Sequence, residues 1–244
     1  WERSQFDNCL YFLRDADKSL VGILGAHVDD TITGGQGALY QQAIEKLKER
    51  FPYRKWRVGS GEFCGIQYDQ DPESFEIKYH QKTYADNLRP ISLSRSRMSD
   101  KQAPATEKEI SALRAINGAA NWLASQTRPD LCVQTSFSQQ AFPSPTVWDL
   151  MQANQLVHRA KQYSHVTITV RDIPWNEIGI CFHSDAAFAN AKAHATQAGY
   201  ILGFVGPELT QNMPTKWSPF CWKSYRLPRV VSSTLGGESQ SFST

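Results

Sequence analysis

The sequence of 244 residues lacks the marks of several protein classes. No apolar run approaches the ~20 residues that a bilayer-spanning helix needs, so we expect no membrane partner. The first residues lack the charged-then-apolar order of a signal peptide. An initiator methionine is also missing, and the sequence stops abruptly at Ser243-Thr244. We therefore expect a fragment of a longer protein.

Cysteine is scarce, and the spacing of the cysteines does not match a zinc site or a disulfide framework. The five cysteines are odd in number and widely spaced, and no two of them form a CxxC pair. This argues against a disulfide scaffold and a zinc site, and for a reducing compartment. We expect the protein in the cytoplasm or the nucleus.

A strong excess of positive charge is absent too, because the formal net charge is only +2. Bulk electrostatics therefore do not indicate a nucleic-acid partner. Lysine and arginine are instead clustered locally, and such clusters can neutralise phosphates. Each cluster alone is better read as a solvated basic surface. The clusters are Lys46 to Arg57, Arg89 to Lys101, and Lys223 to Arg229.

Apolar periodicity indicates an α+β fold. In the first third, a β-compatible run from Leu20 to Val28 ends at Asp29-Asp30, and a helix is predicted from about Gly37 to Phe51. A second hairpin is predicted from Trp56 to Tyr79, with its turn at residues 69–72.

Residues 89–104 are polar and Ser-rich, and they predict a linker or mobile loop. Three helices are then expected, and two of them begin with capping boxes, Thr106 with Glu109 and Thr146 with Asp149. The middle helix starts at Pro129, with Thr127 as its N-cap. Four strands and the start of a helix follow, so we place a domain boundary near residues 164–176.

Asp29 and Asp30 stand at a predicted tight turn between two apolar strands. Adjacent carboxylates repel each other unless a cation neutralises them, and Mg²⁺ prefers oxygen ligands. A polymerase needs such carboxylates to hold two metal ions. Neighbouring side chains of a strand point to opposite faces, so at most one of the pair should be a full ligand. By itself, the dipeptide is more often a solvent-facing acidic turn.

Several sequence segments around Asp29 and Asp30 are similar to motifs of a known family. The segment Leu24 to Asp30 is similar to the Y-V-D-D turn of reverse transcriptases. Later blocks resemble, in order and spacing, those of copia-type retrotransposon Pol polyproteins. The similar blocks are Phe63-Cys-Gly-Ile-Gln67, Gln81 to Leu88, Arg114 to Ala124, and Thr127-Arg-Pro-Asp130, of which the last is the most specific.

The resemblance covers essentially the whole chain and implies an RNA-directed DNA polymerase followed by ribonuclease H. It implies a reverse transcriptase palm remnant over residues 1–103, a helical thumb or connection over 104–165, and a partial RNase H-like domain with a mixed sheet over 166–244. The implied cofactor is Mg²⁺ or Mn²⁺. The implied partners are an RNA or DNA template-primer, an RNA–DNA hybrid and, for the intact enzyme, a dNTP.

Two departures from the family pattern bear on activity. His27 replaces the aromatic residue of the turn, which lies near the primer end and the incoming nucleotide in the family. The other catalytic aspartate of the polymerase should lie upstream of Trp1, because Asp15 and Asp17 sit at a predicted hairpin turn and do not match. We expect no polymerisation by this chain alone.

Asp185 and Glu238 form a second candidate pair. An apolar strand delivers Asp185, and Glu238 follows in a predicted helix. Each acid by itself is better explained as a strand-end cap or a solvated helix residue. Together with neighbouring blocks they resemble the S-D-A-D-W, S-T-S-G-Y, S-W-K-S and S-S-T-E-A-E-Y blocks of the copia-type RNase H, which implies that both bind metal. The third RNase H aspartate of the family is missing, so we expect weak or no nuclease activity and poor solubility of this domain alone.

Nucleic-acid contacts are expected from an aromatic residue within the first basic cluster and from the two candidate sites. Trp56 could stack on a base, but packing on the 37–51 helix is the favoured interpretation. Two further hypotheses stay open, a degenerate or domesticated remnant that only binds nucleic acid or protein, and a plain α+β scaffold. The oligomeric state is also open. The candidate contacts are His27, Arg54, Lys55, Trp56, Arg57 and Lys223.

Overall fold

The computed structural model describes residues 1–243, which form two compact units. The first unit is Trp1–Tyr68 and the second begins at Asp69. This division differs from the sequence-based boundaries at 103/104 and 165/166. The mixture of helices and antiparallel sheets agrees with the predicted α+β class.

The first unit is built on a four-stranded antiparallel sheet in the order β1-β2-β3-β4. Helix α1 covers one face of this sheet, where Leu13, Tyr40 and Ile44 form a small core. Tyr40 and Ile44 are four residues apart, so they share one side of the helix. The elements are β1 (Glu2–Arg3), β2 (Leu10–Arg14), β3 (Leu20–His27), β4 (Asp30–Gly35) and α1 (Gly37–Arg50).

The ring of Tyr40 lies directly over a glycine of strand β4. A Cβ atom on Gly35 would stand 2.5 Å from both Tyr40 Cδ2 and the Val21 carbonyl oxygen. A Cβ atom on Gly34 would meet nothing within 4 Å. A Cβ atom on Gly22 of β3 would also stand 2.8 Å from Tyr40 Cδ2. The close approach of helix and sheet therefore requires glycine at positions 22 and 35 but not at position 34.

Gly35→Ala is expected to lower the free energy of unfolding by about 1–3 kcal/mol, the usual cost of overpacking. Gly34→Ala is the matched control, and its effect should stay within about 0.5 kcal/mol. Chemical denaturation of both variants measures the difference. Equal stabilities of the two variants would contradict the packing described for Tyr40.

A hairpin follows α1, with strands β5 (Ser60–Phe63) and β6 (Ile66–Gln70). Cys64 and Gly65 form its turn, with φ angles of 51° and 75°. Two successive residues with positive φ are typical of a tight two-residue hairpin turn. The prediction of one hairpin from Trp56 to Tyr79 was wrong in this respect, because three strands occupy the segment. The boundary between the two units falls within β6.

The second unit begins with β7 (Ile77–His80), which pairs antiparallel with β8 (Ile168–Val170). Five helices lie between these strands, and their leucines form the largest core of this unit. Leu113, Leu123, Leu131 and Leu150 are fully buried. The helices are α2 (Lys82–Asn87), α3 (Arg95–Ser99), α4 (Glu107–Gln126), α5 (Cys132–Gln139) and α6 (Val147–Gln162).

Local capping signals set the ends of the long helices. The capping boxes of Thr106 with Glu109 and of Thr146 with Asp149 are both confirmed. Thr127 instead ends α4, so its assignment as an N-cap was wrong. A short 3₁₀ turn, Pro129–Leu131, separates α4 from α5.

Residues 89–104 are not a plain linker, because they contain α3 and a paired arginine. Arg97 donates to both carboxylate oxygens of Glu109, at 3.0 and 2.8 Å. Its hydrogen bond, followed by those from Thr106, lowers the pKa of Glu109 to about 2. The expected mobile loop is thus tied to the start of α4.

The C-terminal sheet has the order β11-β10-β9 and is antiparallel throughout. The predicted mixed sheet is therefore not found in residues 166–243. Trp222 Nε1 donates to the Ala124 carbonyl of α4 at 2.8 Å, so helices and sheet belong to one unit. The elements are β9 (Gly179–Ala187), β10 (Gln197–Val205), β11 (Trp217–Arg226) and α7 (Thr234–Ser243).

Candidate functional site

The β3–β4 turn presents the first pair of candidate carboxylates. His27 pairs with Asp30, which leaves Val28 and Asp29 as the turn residues. Val28 has a φ angle of 54° and is 95% exposed. Positive φ is strained for a β-branched residue, and such strain is common at functional sites. The predicted hairpin with carboxylates at its tip is confirmed.

Strand alternation tells which face of the sheet Asp30 occupies. The Thr33 hydroxyl lies 3.2 Å from the Tyr40 hydroxyl, so Thr33 faces α1. Asp30 is three residues away and therefore points to the other face, together with its partner His27. On that face Ile23 is 40% exposed and Ile32 is 38% exposed. The first unit thus has an open sheet face with a carboxylate at one end.

The β5–β6 turn lies close to this carboxylate. Burial raises the pKa of the Cys64 thiol, and the negative charge of Asp30 raises it further. The Cys64 thiol is therefore protonated at neutral pH and is a poor nucleophile. Since Cys64 belongs to the Phe63-Cys-Gly-Ile-Gln67 block, two of the sequence blocks come together in the first unit.

No further carboxylate from Asp15 or Asp17 reaches the Asp29-Asp30 turn. Asp15 Oδ1 accepts hydrogen bonds from the Asp17 and Ser19 amides in the β2–β3 turn. That turn is at the opposite end of β3, an eight-residue strand. Eight residues span about 25 Å in extended backbone. The prediction that both aspartates sit at a hairpin turn is confirmed.

The basic stretch after α1 is split between core and surface. Trp56 packs against the core of Leu13, Tyr40 and Ile44, and its ring lies 5.2 Å from that of Tyr53. The favoured interpretation of Trp56 as a packing residue is confirmed, so it is not a free stacking surface. The side chains that remain exposed are those of His27, Arg54, Lys55 and Arg57, and in the second unit Lys223.

Asp185 and Glu238 lie on neighbouring elements, but the Asp185 side chain does not point toward the helix that carries Glu238. A Cβ atom on Gly237 would stand 3.5 Å from the Ala186 Cβ, and Phe182 packs on Phe242 at 5.5 Å. Even-numbered residues of β9 therefore face α7. Asp185 is odd-numbered and points to the other face of the sheet. The structure brings β9 and α7 together without directing the Asp185 carboxylate toward the helix of Glu238.

The most specific block of the sequence builds the interior of the second unit. Arg128 is 1% exposed and donates to both oxygens of Asp130, at 2.7 and 2.8 Å. Its third contact is the Ala160 carbonyl of α6, at 3.1 Å. The Thr127 hydroxyl donates to Gln81 Oε1, which belongs to another of the blocks. These motif residues hold helices together, a role that sequence reasoning missed.

Asp29 and Asp30 are exposed, and their carboxylate oxygens are of the type that Mg²⁺ binds. This ion is often held by one or two carboxylates, with water and substrate phosphates in its other positions. Within residues 1–243, no three His, Cys, Asp or Glu side chains converge on one point. The turn alone thus offers a partial set of ligands.

Comparisons with protein-family models, with curated proteins and with solved structures found no match to this chain. In the part of the chain that the structure describes, no helix has the length and apolarity to cross a membrane.

Proposed function

We propose that the chain is part of an RNA-directed DNA polymerase with ribonuclease H of a copia-type retrotransposon, which acts by two-metal phosphoryl transfer. The observation that carries this proposal is the strained turn that presents Asp29 and Asp30 at the end of an open sheet face. A helix backs the other face, so the turn has a fixed support. The choice of the copia-type family rests on the order and spacing of the similar sequence blocks.

Different residues of the chain would bind the metal ion, the primer end and the phosphates. Asp29 and Asp30 would hold Mg²⁺ or Mn²⁺, which supplies charge neutralisation for phosphate oxygens. The exposed His27 lies beside Asp30 in the register and would contact the primer end or the dNTP. Arg54, Lys55 and Arg57 would neutralise phosphates of the template-primer.

Polymerisation would require a further carboxylate, which we assign to a segment upstream of Trp1. The distance of Asp15 and Asp17 from the turn supports this assignment. Two ions need more ligands than one hairpin turn provides. We therefore propose that the chain does not extend primers alone.

The ribonuclease H part of the proposal assigns metal binding to Asp185 and Glu238 on an RNA–DNA hybrid. The packing of α7 on the β9–β10 sheet supports an RNase H-like arrangement in general terms. Because Asp185 points away from α7, this second site has less support than the polymerase turn. Lys223 is assigned to the nucleic acid on its exposure and charge.

A second candidate function is a degenerate or domesticated remnant that binds nucleic acid or protein without catalysis. The orientation of Asp185 away from α7 favours it, as does the structural use of Arg128 and Asp130. Both candidates place the protein in a reducing compartment, cytoplasmic or nuclear, and all five cysteines are free thiols.

Calorimetric titration with Mg²⁺ and Mn²⁺ tests the proposal. At least one of the variants Asp29→Asn and Asp30→Asn is expected to weaken binding by roughly tenfold or more, since it removes a charged oxygen ligand. Asp17→Asn is the matched control, because it makes the same charge change at the other end of the sheet. Asp185→Asn tests the second site separately. Equal affinities of the wild-type chain and the Asp29 and Asp30 variants would favour the non-catalytic remnant.

A further inference from the structure

Helix α1 fills only part of the sheet face that it covers in the first unit. On one flank of α1, Trp56 packs beside the core, and its ring centre lies 4.8 Å from Lys48 Nζ of the helix. The neighbouring Tyr53 hydroxyl lies 3.4 Å from the Thr31 hydroxyl of β4. The loop after α1 therefore closes the side of the helix toward β4. On the side toward β1 and β2, a groove of about 370 Å³ stays open.

The floor and walls of this groove are mostly apolar. Leu13 of β2 lies in the core, and Trp1 packs edge-on against Tyr40 at 6.4 Å between ring centres, so both face α1. Three large side chains of the groove are open to solvent, Trp1 at 38%, Leu39 at 42% and Phe51 at 53%. Exposed apolar side chains that stand together, unlike single ones, mark interaction sites.

One rim of the groove is cationic. Lys46 and Arg50 are exposed and four residues apart on α1, so they are neighbours on the helix surface. Among residues 1–243, neither side chain forms an ion pair. No aspartate or glutamate is among the described residues that line the groove. The rim therefore favours an occupant with negative charge.

The shape of the groove favours a helix as this occupant. The residues of α1 along the groove include positions 39, 43, 46, 47 and 50, which recur every three or four residues. They span about 16 Å, or three helical turns. An amphipathic helix lays its apolar side chains into such a groove with the same repeat. It can also place two carboxylates four residues apart, opposite Lys46 and Arg50, whereas a fatty acid carries only one carboxylate.

We propose that this groove binds an acidic amphipathic helix of a partner protein. Apolar side chains of that helix pack against Trp1, Leu39 and Phe51, and its carboxylates pair with Lys46 and Arg50. The groove lies on the α1 face of the sheet, whereas Asp30 points to the other face. The partner helix and the ligands of the proposed polymerase turn therefore do not compete for one surface.

Fluorescence anisotropy of the whole chain with labelled synthetic helices tests this site. The probe is a peptide of about sixteen residues, roughly four turns, with leucine at every third and fourth position and glutamates beside the leucines. A second peptide has lysine in place of each glutamate, and a third has serine in place of each leucine. The acidic leucine peptide is expected to bind at least about tenfold more tightly than either of the others. Equal binding of the acidic and the lysine peptide overturns the proposal.

Reversing the charge of the rim tests the part played by the two cations. The double variant Lys46→Glu with Arg50→Glu should weaken binding of the acidic peptide at least about tenfold and strengthen binding of the lysine peptide. Arg54→Glu with Arg57→Glu is the matched control, because it makes the same charge change next to Trp56, on the closed flank of α1. At about 0.15 M salt, which screens distant charges, this control should bind the acidic peptide within about threefold of the wild-type chain. An equal loss in both double variants would mean general charge attraction and overturns the site.

Leu39→Gln tests the apolar wall without disturbing the core. It should weaken binding of the acidic peptide about fivefold and melt within about 3 °C of the wild-type chain, because glutamine suits a helix nearly as well as leucine. Decanoate that binds as tightly as the peptide would assign the groove to a small amphiphile. Dimers of the chain alone that Leu39→Gln abolishes in sedimentation would assign it to a second copy, and either result overturns the proposal. Asp29→Asn should bind the peptide as the wild-type chain does, so this proposal and the polymerase proposal can fail separately.

Discussion

Replacing Asp130 with alanine is expected to lower the free energy of unfolding by about 2–3 kcal/mol. Arg128 is 1% exposed, and Asp130 neutralises it through two hydrogen bonds. Without Asp130, the guanidinium keeps its contact to the Ala160 carbonyl but stays buried with its charge uncompensated. The Asp130 side chain is 34% exposed, so water screens part of the pair, and we place the loss below that of a fully buried pair.

Denaturant unfolding of four proteins measures this effect. Lys82→Ala is the control, because its partner Asp86 is 40% exposed and Lys82 itself is 54% exposed. Such an exposed pair contributes at most about 0.5 kcal/mol. The double variant Asp130→Ala with Arg128→Met should recover part of the loss, since no charge then stays buried. A loss of less than about 0.5 kcal/mol in Asp130→Ala would refute the structural role of the pair.

Helix ends could be predicted from the sequence because their signals are local. Thr106 and Glu109 stand three residues apart, and so do Thr146 and Asp149, and both pairs close the expected capping boxes. The β3–β4 hairpin was predictable for the same reason, since apolar alternation and a polar turn lie within sixteen residues. In each case the partners that decide the structure are close in the chain.

Long-range partners explain the wrong predictions. Residues 89–104 are polar and predicted a linker, but Arg97 donates a hydrogen bond to Glu109, twelve residues further along the chain. The hydrogen bond from Trp222 to the Ala124 carbonyl spans 98 residues, and no local pattern indicates it. The apolar pattern placed the hairpin turn at residues 69–72 and did not indicate a turn at Cys64-Gly65, because cysteine rarely adopts positive φ. No pattern within a short window reports such contacts.

The geometry of the first candidate site could be predicted from the sequence, and that of the second could not. Asp29 and Asp30 are neighbours, so one hairpin decides their geometry. Whether Asp185 meets Glu238 depends on which face of β9 packs against α7. The packing of Phe182 and Ala186 on α7 decides this, and neither contact is visible in the local sequence. Similar sequence blocks determine how far apart two residues are in the chain, but they do not determine to which face of a sheet each side chain points.

Primer extension is expected to fall about 10³-fold when Asp29 or Asp30 is replaced with asparagine in a longer protein that carries the proposed upstream segment before Trp1. Weakened metal ligation would remove roughly 4 kcal/mol of charge stabilisation in the transition state, and each 1.36 kcal/mol is about a factor of ten in rate.

A gel assay with a labelled primer, with and without Mg²⁺, gives the rates. Asp17→Asn should extend primers at the wild-type rate, because its carboxylate lies in the turn at the far end of β3. His27→Tyr, which introduces the tyrosine of the similar Y-V-D-D turn, should raise the rate if the proposal holds, since His27 lies beside Asp30 in the register. Extension that survives in both the Asp29 and Asp30 variants would mean that this turn does not hold the catalytic metal. Extension that is absent from the wild-type and His27→Tyr proteins would favour the non-catalytic remnant instead.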